Sequence, residues 1–137
     1  LLSTLGDYLR GFEWVASNGA SVANLSYSLN FESAKSQEFA RKALAAIVRK
    51  YGIVLSFSGG NLGPGLGSGA RRNMYPANAL VAGAYVNPEM DEYVHGVTGL
   101  PPQGRVVSYS SRGPSPDGGA GPMMITPLAS LVHGDPT

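Results

Sequence analysis

Twice along this chain an amphipathic stretch is closed by Gly and followed at once by a short apolar run. In the first copy Leu5, Leu9, Phe12 and Ala16 recur at helical spacing, Thr4 and Asp7 hold capping-box positions, and Asn18-Gly19 is a stop signal. In the second, Ala40, Ala43, Leu44, Ile47 and Tyr51 form the stripe, and Arg49 and Lys50 suit a helix C-terminus before Gly52. The runs that follow, Val22 to Ser26 and Ile53 to Phe57, are apolar enough for buried strands. Such short joints between helix and strand imply right-handed crossovers in a parallel sheet, so the fold class is α/β.

Composition narrows the function. The 137 residues suffice for one domain and one core. Charged residues are only 14% of the chain and the net charge is +1, which leaves no electrostatic footprint for nucleic acid or an anionic membrane. No cysteine is present, excluding disulfides, thiolate metal sites and a Cys nucleophile, and two histidines cannot build a three-His zinc site. No apolar run approaches the roughly 18 residues of a membrane span. Leu1 stands where an initiator methionine is expected, so the chain reads as processed or excerpted. Nothing in the sequence fixes the compartment, secreted or cytoplasmic.

Beyond the helix-strand-helix-strand unit of residues 4–58 the chain changes character. A Gly-rich loop is expected over 58–74, a strand over 79–86, an extended loop over 87–104, a strand over 105–110 and a Gly/Pro-rich tail over 111–137. The Gly loop follows the carboxyl end of a strand, where ligand sites form in α/β sheets. Gly65, Gly67 and Ala70 satisfy G-x-G-x-x-A, but Arg71 to Pro76 does not continue as the helix that a dinucleotide site requires, and no Gly-Lys-Ser/Thr follows to make a P-loop. Gly60-Asn61 permits two readings. Asn61 is a turn residue that tolerates left-handed geometry, or its amide is a donor aimed at a developing oxyanion.

Four ordered segments resemble the subtilisin-like serine proteases, the subtilases. They are Phe12 to Ser26, Gly52 to Pro64 with its Gly60-Asn61, Tyr75-Pro76-Ala77 with Val81 to Ala84, and Ser108-Tyr109-Ser110-Ser111-Arg112-Gly113-Pro114. Gly83 to Met90, the Leu100-Pro101 loop and Ser110 to Gly118 are most similar to the tripeptidyl-peptidase II branch. The resemblance implies a doubly wound, subtilisin-like parallel sheet flanked by helices, incomplete relative to a full subtilase domain. It also implies that Asn61 is the oxyanion-hole donor. Leu25, Ser26, Tyr27 and Ser28 would pair with a substrate backbone, and Ser58, Gly59 and Gly60 would form the opposite wall of the pocket.

The family's catalytic Asp and His motifs precede the first helix, and its Gly-Thr-Ser motif follows an Ala-Pro-Gly turn; none of these falls within this sequence. His95 in Val-His-Gly-Val-Thr is expected to be an exposed loop residue, as is His133, and Asp7, Asp91, Asp117 and Asp135 match no catalytic context. The expected partners are therefore a peptide or protein substrate and the rest of the protease domain or companion chains, without nucleic acid or membrane. No cofactor is expected: calcium stabilises some subtilases, but no acidic cluster here has the spacing of a calcium loop. A degenerate, non-catalytic subtilase that binds peptides or serves as a structural subunit is the alternative. Its support is that Tyr27-Ser28 replaces the family's Leu-Gly, Ser58-Gly59-Gly60 its Ala-Ala-Gly, and Thr126-Pro127-Leu128 its Ala-Pro-Gly.

Overall fold

The computed structural model describes residues 4–27, 33–69, 75–116 and 118–127. Helix α1, Leu5–Ser17, begins at a reciprocal cap. Thr4 Oγ1 accepts from the Asp7 backbone N–H at 3.3 Å, and Asp7 Oδ2 accepts from the Thr4 N–H at 2.7 Å. Bonds from Thr4, side chain first and backbone second, hold the Asp7 carboxyl below its ordinary range, with Arg10 adding to them. At the far end the Ser17 hydroxyl and the Asn18 amide both donate to Trp14 O.

The chain then enters strand β1, Val22–Leu25, and helix α2, Ala34–Tyr51. Ser33 caps the start of α2, and Gly52 ends it at φ 67°, a left-handed conformation that a Cβ would disfavour. Strand β2, Val54–Ser58, follows directly. It pairs in parallel with β1 and with β3, Leu80–Val86. The expected parallel α/β unit is therefore present.

Alternation decides which face is covered. Leu55 and Phe57 of β2 point into a core with Phe12 and Ala16 of α1, Leu44 and Ile47 of α2, and Val81 of β3. The Phe57 ring lies 5.7 Å from Phe12 and 4.5 Å from Tyr75. On the opposite face Val22 and Val54 are 62% and 41% exposed. The two helices are joined at their rims, where Lys50 and Tyr51 donate to Glu13 Oε1 at 2.8 and 3.2 Å. The bond from Lys50, then that from Tyr51, lowers the Glu13 pKa, and the bonds with Glu13, then with Tyr51, raise that of Lys50. Because Glu13 is held below its ordinary value, this tie is intact at neutral pH and is lost on the acid side as the carboxyl is protonated. Both side chains are exposed, so stability rests on the apolar core instead. Leu44→Ala, at a fully buried position, is expected to cost about 2–5 kcal/mol, read as a lowered denaturant midpoint.

Four expectations are corrected beyond β3. The segment expected as an extended loop over 87–104 opens with helix α3, Pro88–His95. Pro88 is no breaker here, because it sits in the first turn, where its missing N–H costs nothing, and Asn87 Oδ1 caps Met90 N at 2.7 Å. His95 is accordingly the last residue of that helix, not a loop residue. The strand expected over 105–110 is confined to β4, Arg105–Val106, antiparallel to β3, after which Ser110 N–H turns back to Val107 O at 3.1 Å. The Arg105 guanidinium reaches the buried Asp91 carboxylate at 2.9 Å and fastens β4 to α3. Lastly, the tail contains strand β5, Met124–Pro127, parallel to β3.

Register places these additions. Ala82 is opposite Ser58 and Met124, and Tyr85 is opposite Val106 and Pro127. Hence β2 and β4 lie in succession along one edge of β3, while β5 takes the other edge.

Candidate functional site

The succession of β2 and β4 along one edge of β3 creates the site. At Ser58 the chain of β2 stops pairing with β3, and the loop that follows β4 enters between them. Backbone groups freed at such a fork must find partners. Two buried serines supply them. Ser110 Oγ accepts from Ala84 N of β3 at 3.0 Å, and Ser111 Oγ accepts from Leu62 N of the loop after β2 at 3.0 Å. Both serines are only 2% exposed. The Ser111 N–H also donates to Gly60 O at 3.1 Å, and Gly63 N–H donates to Tyr109 O at 2.9 Å.

Asn61 stands between these bonds. Its side chain is exposed and makes no hydrogen bond to any other described residue. The turn into it is made by Gly60, at φ 98°, while no non-glycine among the described residues has a positive φ. Gly60 is thus the residue that needs left-handed freedom, and Asn61 is not. The reading of Asn61 as a turn residue tolerating left-handed geometry therefore loses its physical basis.

The two expected pocket walls are brought together. Leu25 is opposite Phe57 in the β1–β2 ladder, so Ser26 and Tyr27 leave the sheet beside Ser58, Gly59 and Gly60. Leu25 itself packs its side chain on the core and is paired with Phe57 in the ladder. The exposed Tyr27 ring rests 5.6 Å from that of Tyr8 on α1. Ser28 lies outside the described residues. Gly59 donates to Ala82 O at 2.7 Å, and a Cβ there would come within 2.9 Å of that oxygen and 3.0 Å of Pro122 Cγ. Its missing side chain therefore admits β3 and Pro122 closely.

The remainder of the Gly loop is sewn to the same segment. Ser68 Oγ donates to Gly65 O at 2.6 Å and accepts from Arg112 N at 3.0 Å, and Gly69 N–H donates to Arg112 O at 3.0 Å. No helix begins among described residues 59–69, so Gly65 and Gly67 lack the helix N-terminus that would receive a pyrophosphate. Ala70, Asp117, His133 and Asp135 lie outside the described residues. Among the described residues no group of three His, Cys, Asp or Glu side chains is placed to hold a metal ion, and no helix is long and apolar enough to cross a membrane. An open groove of about 310 Å³, lined only by α1 and α2 residues such as Leu9, Ala43 and Ile47, belongs to the helix layer.

Sequence reasoning singled out Ser108 to Pro114 as a motif but gave Ser110 and Ser111 no role. The available signal was two consecutive hydroxyls before a Gly-Pro turn, residues suited to bonding free backbone groups.

Comparison with known proteins identifies the family and the fold. A model described as the subtilase family matches residues 2–129. Tripeptidyl-peptidase 2 of Oryza sativa subsp. japonica is 35% identical over 86 residues, covering 63% of this chain and 6% of that protein. Pyrolysin of Pyrococcus furiosus is 26% identical over 135 residues, covering 90% of this chain and 10% of that protein. Among solved structures, Sphericase superposes with a TM-score of 0.57 at 19% identity, over 81% of this chain and 32% of its own, a likeness of fold. The chain spans about a tenth or less of the length of these curated relatives.

Proposed function

This chain belongs to the subtilase family, and on that premise we propose that it carries the oxyanion-hole donor and the peptide-groove walls of a serine peptidase whose Ser, His and Asp come from sequence beyond these residues. The donor is the Asn61 side-chain amide. The observation that carries this reading is that Gly60 takes the positive φ, leaving Asn61 exposed at a strand's carboxyl end with no backbone reason to be Asn. An amide N–H aimed at the carbonyl oxygen would stabilise the charge that develops there as the peptide bond is attacked. Ser26, Tyr27 and Ser28 on one side and Ser58, Gly59 and Gly60 on the other would hold the substrate as an added strand, with β-type hydrogen bonds from the backbone.

The substrate class is a peptide or protein, cleaved by endopeptidase or tripeptidyl-peptidase action. The similarity to tripeptidyl-peptidase 2 supports the second mode. A fluorophosphonate probe tests the catalytic reading on the full-length gene product, because labelling requires an activated serine. Covalent labelling that a peptide substrate slows is the expected result. A protein that binds peptides yet takes up no label would instead be the non-catalytic subtilase that the substitutions at Tyr27-Ser28 and Thr126-Pro127-Leu128 suggest.

A further inference from the structure

Asn61 is useful to an oxyanion only if its amide is held in place before the charge develops. Its own side chain has no described partner, so its position must be fixed through the backbone on either side. Both flanking peptide groups are held by one residue. Ser111 N–H donates to Gly60 O at 3.1 Å, immediately before Asn61, and Ser111 Oγ accepts from Leu62 N at 3.0 Å, immediately after it. The hydroxyl is also in tight contact with the turn, since a Cβ on Gly60 would lie 2.9 Å from it. Ser111 is 49 residues from Leu62 in sequence and 2% exposed, whereas Asn61 is exposed. A buried anchor thus bonds on both sides of a solvent-facing donor, and Ser110, bonded to β3 at Ala84 N, ties that anchor to the sheet.

From this geometry we infer that Ser111 is a positioning residue for peptide hydrolysis, fixing the Asn61 amide by bonding the peptide groups on both of its sides. The inference rests on the reading of Asn61 as the oxyanion donor. Without the Ser111 hydroxyl, Leu62 N–H loses its acceptor, and the turn is held on the Gly60 side alone. Because the oxyanion exists only at and beyond the transition state, the loss falls on kcat and leaves KM nearly unchanged.

The test is a double-mutant cycle on the full-length protein with a chromogenic peptide, using Ser111→Ala, Asn61→Leu and the pair. Ser111→Ala is expected to lower kcat roughly 10–100-fold, the scale of a misplaced catalytic group. In the Asn61→Leu background the same change is expected to alter kcat by less than about twofold, as for two groups acting as one unit. Ser111→Cys, of similar volume and with a weaker acceptor, is expected to fall between Ser and Ala, and it keeps the test readable if the Ala variant folds poorly. An equal loss of kcat in both backgrounds, or undiminished kcat in Ser111→Ala, overturns the inference. Undiminished kcat in Asn61→Leu alone is a separate result: it removes Asn61 from the mechanism, and the positioning role falls with it.

Discussion

Asn61→Leu is expected to lower kcat for peptide hydrolysis by the full-length protein about 10²–10³-fold, with KM changed little. The size of the loss is that of donor removal in subtilisin, a worked case for this family, and corresponds to about 2.7–4 kcal/mol of transition-state stabilisation. Leu shares the branched heavy-atom outline of Asn, so the substitution removes the amide donor while keeping the side-chain branching. Stability should be almost unaffected, because Asn61 is exposed, makes no described hydrogen bond and does not adopt a positive φ. That contrast between activity and stability is what separates a chemical role from a structural one. Steady-state kinetics beside a denaturant melt checks it, and a kcat within threefold of the parent would contradict the donor role. A fall in kcat accompanied by an equally large fall in stability would indicate that Asn61 holds the loop.

How much of this was legible in the sequence depended on the range of the physics involved. Helices α1 and α2 were readable because their determinants are local: the Thr4–Asp7 cap, the apolar stripes, and Gly52 where a left-handed residue is needed. The determinants of helix α3 are also local, but a Pro in a loop-like stretch reads as a helix start only when Asn87 is recognised as the cap that makes Pro88 a first-turn residue. Strand β5 had no local signal. Its residues are all exposed and include Pro127, so pairing with β3, not alternation, makes it a strand. At the site, Gly60-Asn61 was visible as a dipeptide at a strand end, but which of the two takes the positive φ was not. The bonds from Ser111 were out of reach, because no spacing rule links positions separated by 49 residues.

Gly63→Ala is expected to be the most damaging single-methyl change at the fork between β2 and β3. Gly63 does not have a positive φ, so no conformational penalty is involved. The penalty is steric: a Cβ there would overlap Ser110 O and approach Ser108 O to 2.6 Å. Both obstacles are backbone atoms of the segment that Gly63 N–H bonds at Tyr109 O, so relief requires the two segments to separate. Overpacking of this kind costs about 1–3 kcal/mol, and weakening the Gly63–Tyr109 and Leu62–Ser111 bonds adds about 0.5–1.5 kcal/mol for each. A total destabilisation of about 2–6 kcal/mol follows. Gly65→Ala provides the comparison within the same loop: a Cβ there meets nothing within 4 Å and φ is not positive, so the midpoint should move by no more than about 0.5 kcal/mol. Denaturant unfolding of the two variants side by side checks the difference. Equal midpoints would mean that the loop after β2 does not bear on the serine segment as closely as described. A selective loss in Gly63→Ala, joined by a fall in kcat, would tie the packing of the fork directly to the placement of the Asn61 amide.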